Sequence, residues 1–150
     1  MHRCPRGSAH LEHEMLDTLT LVLALASSPA APSASANCSS YNRIDTVERR
    51  VRTESSVQLL HLIAQQAAFC AGMLQPPTDA KLLLISAIAY LKSAQPPDRP
   101  VSPEWQAHER QAARGLLTFL IHDKHADAPT RRRARELLCR ISAVCGDDAT

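Results

Sequence analysis

With 150 residues, 17 Lys+Arg against 15 Asp+Glu and a net charge of +2, the chain has room for one domain, and its slight basic surplus does not specify nucleic acid as a partner. Four glycines and 3% aromatic residues supply few of the tight turns and strand-forming side chains of a β-sandwich, so the composition points to helices.

The chain opens on a polar leader, residues 2–14, followed by an apolar core over residues 18–26. That core has the length of a signal-peptide h-region and falls short of the roughly 20 residues a membrane-spanning helix needs, so no membrane span is expected. Pro29 and Pro32 break it, and Ala34-Ser35-Ala36 then offers a small-residue cleavage pattern. Residues 1–36 therefore read as a leader and signal segment, cut after Ala36, with residues 37–150 as the domain. A start at Met15 shortens the leader to signal-like length. Asn37-Cys38-Ser39 has the form of a glycosylation sequon at Asn37. The rival reading makes Leu11, Met15, Leu19 and Val22 one stripe of an amphipathic helix ahead of a Pro/Ala/Ser linker, and places the protein in the cytoplasm.

From Tyr41 onward the apolar residues keep helical spacing. Ile44, Val47 and Val51 form a first stripe; Val57, Leu60, Ile63, Ala64, Ala67, Cys70, Met73 and Leu74 continue it, as one long helix or as two joined at Ser55. Pro76-Pro77 ends this region, and Thr78-Asp79 is placed to cap the next helix. Residues 82–91, LLLISAIAYL, are apolar on nearly every side, which marks a helix surrounded by others. A proline-rich linker over residues 95–103 leads to the helix start Ser102-Pro103-Glu104, after which Trp105, Ala112, Ala113, Leu116, Leu117 and Leu120 share a face. Asp127-Ala128-Pro129 introduces a last helix with the stripe Ala134, Leu137, Leu138, Ile141, Val144 and Cys145, stopped near Gly146. The expected fold is all-α: a single four- to five-helix bundle behind a signal-like, otherwise flexible N-terminal segment.

Chemistry-bearing residues are sparse. Loss of Cys4 with the leader leaves Cys38, Cys70, Cys139 and Cys145, an even number that fits two disulfides in any of three pairings; in a cytoplasmic protein they pack as buried thiols. His122 and His125, with His61 and His108, have no diagnostic metal spacing, and Cys70 with His61 makes a formally possible nucleophile pair, but Cys70 lies within an apolar stripe, where a thiol is inert. No CxxC, HExxH, P-loop, GxGxxG or GxSxG pattern occurs, so no cofactor, metal or enzymatic activity is expected. The strongest surface feature is the run Arg131, Arg132, Arg133, Arg135 and Arg140, whose guanidinium groups suit an acidic protein patch or a sulfated polymer. Nucleobase-stacking aromatics are missing beside it.

Met15-Leu16, the apolar run and then Asn37-Cys38-Ser39-Ser40 leading into Ile44-Asp45-Thr46-Val47 resemble the start of the short-chain haematopoietic cytokines of the interleukin-3 and granulocyte-macrophage colony-stimulating factor group, and Glu104-Trp105 with the segment RGLLTFL from Arg114 to Leu120 is similar to the last helix of interleukin-3. The resemblance implies a secreted four-helix ligand of a cell-surface receptor, with up-up-down-down helices and a first-helix acid at the receptor, for which Glu48 and Glu54 are the available residues. The short connections at Gln75-Pro76-Pro77 and Ala126-Asp127-Ala128 predict antiparallel neighbours instead. DAPTRRRARELLCRI also resembles the paired helices of armadillo and HEAT-type scaffolds, which implies an intracellular adaptor binding partner proteins. Both expectations are of protein–protein recognition.

Overall fold

Cys38 begins a short 3₁₀ turn, Cys38–Asn42, in the computed structural model, which describes residues 38–142. The turn buries Tyr41, whose hydroxyl donates to Gln66 Oε1 at 2.8 Å. Five α-helices follow among the described residues: α1 (Ile44–Thr53), α2 (Val57–Ala71), α3 (Thr78–Ala94), α4 (Pro103–His122) and α5 (Ala128–Ile141). They form an all-α bundle, and none of them is long and apolar enough to cross a membrane.

The polar stretch at residues 53–56 separates two helices. Glu54 leaves α1 in an extended conformation and its Oε1 accepts from the backbone N–H groups of Ser55 and Ser56; Ser56 in turn caps α2 by accepting from the Leu59 N–H. Ser102 caps α4 through the Trp105 N–H, with Pro103 in its first turn, and Asp127 caps α5 through the Thr130 N–H at 2.8 Å. The start of α3 differs from the sequence expectation. Pro77 occupies the cap position without a side-chain bond, and Thr78 and Asp79 already lie inside the helix, where Asp79 accepts from the Ala80 N–H.

Helices α3 and α4 each turn back along the helix before them. On the α2–α3 seam Ser86 donates to the Ala64 carbonyl at 2.7 Å and the His61 ring meets Tyr90 edge-on, a descending register that makes the two antiparallel. Ser93, at the end of α3, accepts through its carbonyl from Trp105 Nε1 near the start of α4, while Lys81 at the other end of α3 pairs with Asp127 beyond the end of α4. Helices α2, α3 and α4 thus alternate in direction, the arrangement short links favour. Helix α3 is the hub, packing against α1, α2, α4 and α5.

The centre of α3 is built for close approach. Ala80, Leu82, Ile85, Ser86, Ala87, Ala89, Tyr90, Ser93 and Ala94 are buried, and Ala80, Ala87 and Ala89 share one continuous core with Ala64, Ala67 and Ala71 of α2 and Ala113 of α4. Leu60, Ile63, Leu82, Leu117 and Leu120 supply its bulk. Met73, counted with the α2 core stripe on spacing alone, is exposed because Gly72 has already ended the helix. Truncating Leu117 to Ala removes fully buried methyl groups from this hub, and urea unfolding is expected to show a loss of about 2–5 kcal/mol.

Candidate functional site

Glu109 is the one carboxylate drawn wholly into the core among the described residues, at 0% exposure. It falls on the buried face of α4 because it precedes Ala113, Leu117 and Leu120 at intervals of four, four and three. Its Oε1 meets Nδ1 of His61 from α2 at 2.8 Å and Nδ1 of His108 at 3.0 Å, and its Oε2 accepts from the Ser93 hydroxyl on α3. With a proton on Nδ1, each imidazole donates to the carboxylate, so three donors compensate a buried charge that would otherwise be costly.

Around this knot the His61 ring, whose side chain is 18% exposed, lies 5.1 Å from Trp105 and 5.8 Å from Tyr90, centroid to centroid. Trp105 also forms part of a shallow groove of about 310 Å³ with Val57, Gln58, Arg99, Pro100, Val101 and Ser102. Burial pushes the Tyr90 phenol above its ordinary value of 10.0, and the Glu109 charge pushes it further. The bonding order is that of a structural knot: Ser93 and His61 both bond to the carboxylate, and Ser93 is not bonded to an imidazole, as a relay that activates a serine requires.

The sequence-predicted residues are distributed otherwise. Cys38 and Cys70 form a disulfide with a Cα–Cα distance of 5.4 Å, so Cys70 is no nucleophile beside His61; Cys139 is disulfide-bonded as well, and Cys145 and Asn37 lie outside the described residues, as do residues 1–36. His61 and His108 converge on Glu109, whereas His122 and His125 are exposed at the far end of α4. No group of three or more His, Cys, Asp or Glu side chains is placed to hold a metal among the described residues. Of the arginines, Arg131 is half-buried and donates to the carbonyls of Ala126 and Asp123, which makes it part of the α4–α5 turn. Arg132, Arg133, Arg135 and Arg140 are exposed on α5; Arg133 pairs with Glu136 at 2.8 Å. That hydrogen bond, with the added charges of Arg133, Arg132 and Arg140, holds the Glu136 carboxyl below its ordinary value. Glu48 is bound to Arg52, and Glu54 to the backbone between α1 and α2.

Sequence reasoning missed Glu109 and Ser93. The signal was available in the four-residue spacing from Glu109 to Ala113 and from Ala89 to Ser93, which puts both polar side chains on core faces. No protein-family model, curated protein or solved structure matches this chain.

Two outcomes test the knot. Glu109→Gln replaces one acceptor by an amide donor facing other donors and is expected to cost about 1–3 kcal/mol in urea unfolding; Glu109→Ala, which orphans all three donors and opens a cavity, is expected to cost about 3–5 kcal/mol. In a Tyr41→Phe background Tyr90 is the only phenol, since the chain has two tyrosines. There, Glu109→Gln lowers the Tyr90 midpoint in an absorbance titration yet leaves it above 10.0, because burial is the larger cause. Tyr41 is likewise raised by burial, so in the native chain both phenols support stability below pH 10.0 and lose that support as the pH climbs through their folded values.

Proposed function

We propose that this chain is an extracellular, non-enzymatic helical protein that acts by recognising a protein partner, of which a cell-surface receptor is the expected kind. The Cys38–Cys70 disulfide carries this reading. It joins the first described residue to the end of α2, across a separation of 32 residues, and disulfides of this kind persist in oxidising compartments. Support also comes from the apolar stretch and Ala34-Ser35-Ala36 ahead of it, which suit export and a mature start near Asn37. A single core running through all five helices favours a closed ligand-like bundle over stacked scaffold repeats.

The partner-facing surface in this proposal is the exposed side of α5, where Arg132, Arg135 and Arg140 stand around the Arg133–Glu136 pair. Planar guanidinium groups in such an array suit an acidic protein patch or a sulfated polymer at the cell surface. Arg131, committed to the turn, is left out of it.

N-terminal sequencing and a thiol count on the native protein test the compartment. The expected result is a start near Asn37 with Cys38, Cys70, Cys139 and Cys145 all oxidised. Intact Met1 or Met15 with reduced thiols would overturn it in favour of the intracellular adaptor. For the surface, a triple charge reversal of Arg132, Arg135 and Arg140 to Glu is expected to weaken salt-sensitive binding to receptor-bearing cells by roughly tenfold or more, with unchanged circular dichroism. Binding that is indifferent to both salt and the reversal assigns recognition elsewhere.

A further inference from the structure

Helix α2 has two apolar sides. One, with Leu60, Ile63, Ala64, Ala67 and Ala71, lies in the core; the other carries Leu59, Leu62 and Phe69, continued by Met73 just past the helix end, at 41, 48, 48 and 56% exposure. With Gln66 included, this outer series runs 59, 62, 66, 69, 73, at alternating intervals of three and four. That is the spacing by which two helices pack knobs into holes. Residues 57–77 contain no Asp, Glu, Lys or Arg.

We propose that this seam docks a second copy of the chain, α2 against α2 about a two-fold axis. Charge favours a second copy. The exposed arginines of α1 and α5 give those faces a like charge to bring against their counterparts, whereas the seam, with no Asp, Glu, Lys or Arg, meets its own copy without opposing charge. Gln66 points the same way. It sits midway along the seam, seven positions from Leu59 and seven from Met73, and two-fold pairing brings it against its own counterpart. The Tyr41 hydroxyl holds Oε1 and orients the amide; the remaining lone pair and the Nε2 hydrogens meet the same groups on the other copy, and the two amides satisfy each other. Against a foreign apolar helix those N–H donors would be buried without acceptors, at the cost such groups carry. A polar side chain at one such position also selects the register, as it does in coiled coils. The seam is about 21 Å long at 1.5 Å per residue, so the association is reversible and concentration-dependent.

Sedimentation equilibrium of the full chain, disulfides intact, over a concentration series is the test. The expected result is a reversible dimer of twice the chain mass. Leu62→Glu and Phe69→Glu, at exposed positions that leave the core untouched, are each expected to weaken it by roughly tenfold or more and to keep the wild-type circular dichroism. Gln66→Cys is expected to cross-link two copies under mild oxidation, and Gln65→Cys, one step around the helix, to cross-link far less. A wild-type monomer throughout the series overturns the proposal. So does a dimer indifferent to both glutamates, or equal cross-linking at 65 and 66. The pairing is independent of compartment: a dimer with an intact leader sinks only the extracellular reading, and a monomer that begins at Asn37 sinks only the pairing.

Discussion

Three helices depend on the compensation of a single buried charge. Glu109 of α4 is withdrawn from water, and a carboxylate there is tolerable only while His61 of α2 and Ser93 of α3 remain within hydrogen-bond reach, with His108 closing the outer side. Because His61 and Ser93 come from different helices, a slide of either helix along α4 takes a donor away from the buried charge. An apolar contact between the same helices would tolerate such slippage, since dispersion is non-directional; a three-donor carboxylate does not. The knot therefore specifies how α2, α3 and α4 stand relative to one another at the end of the bundle near Trp105.

Away from this knot, register is held by shape and by a few polar contacts. Ser86 can reach the Ala64 carbonyl only because alanines on α2 and α3 bring the two backbones close. At the C-terminal end of α3, Lys92 donates to the carbonyls of Val51 and Arg52, which ties the last turn of α1 to the hub. Cys38–Cys70 draws the 3₁₀ turn onto the end of α2, and Tyr41–Gln66 fixes it one turn away. The outer side of α2 is therefore presented by a helix tied to its neighbours through His61 near one end and through Gln66 and Cys70 toward the other.

The surfaces divide by charge. The α5 arginines gather around Glu136 and project a basic field, while the outer seam of α2 has none. A field of one sign steers an oppositely charged partner and repels copies of itself; an uncharged apolar seam does neither and is free to self-associate. The two proposals therefore concern separate elements and separate physics.

Much of the architecture was legible in residue spacing. The position of α3 at the centre follows from LLLISAIAYL, which leaves no polar face to turn toward water, and the starts of α4 and α5 follow from Ser102-Pro103 and Asp127-Ala128-Pro129, whose caps act within one turn. Local chemistry also set the antiparallel order, because links as short as residues 123–127 return the chain beside its predecessor. What spacing could not convey was the pairing between distant residues. Cys38 had three candidate partners of equal standing, and Met73 matched a core stripe that the helix end at Gly72 interrupts. His61, Ser93 and Glu109 stand 48 and 16 positions apart in the pairs they form, and each alone is an ordinary polar residue. The sequence by itself determined the helical segments, the caps of α4 and α5 and the chain order, since those depend on neighbours within a turn or two; the tertiary structure alone decided the Glu109 knot, the Cys38 partner and the exposed side of α2, since those depend on which faces the packed helices bring together.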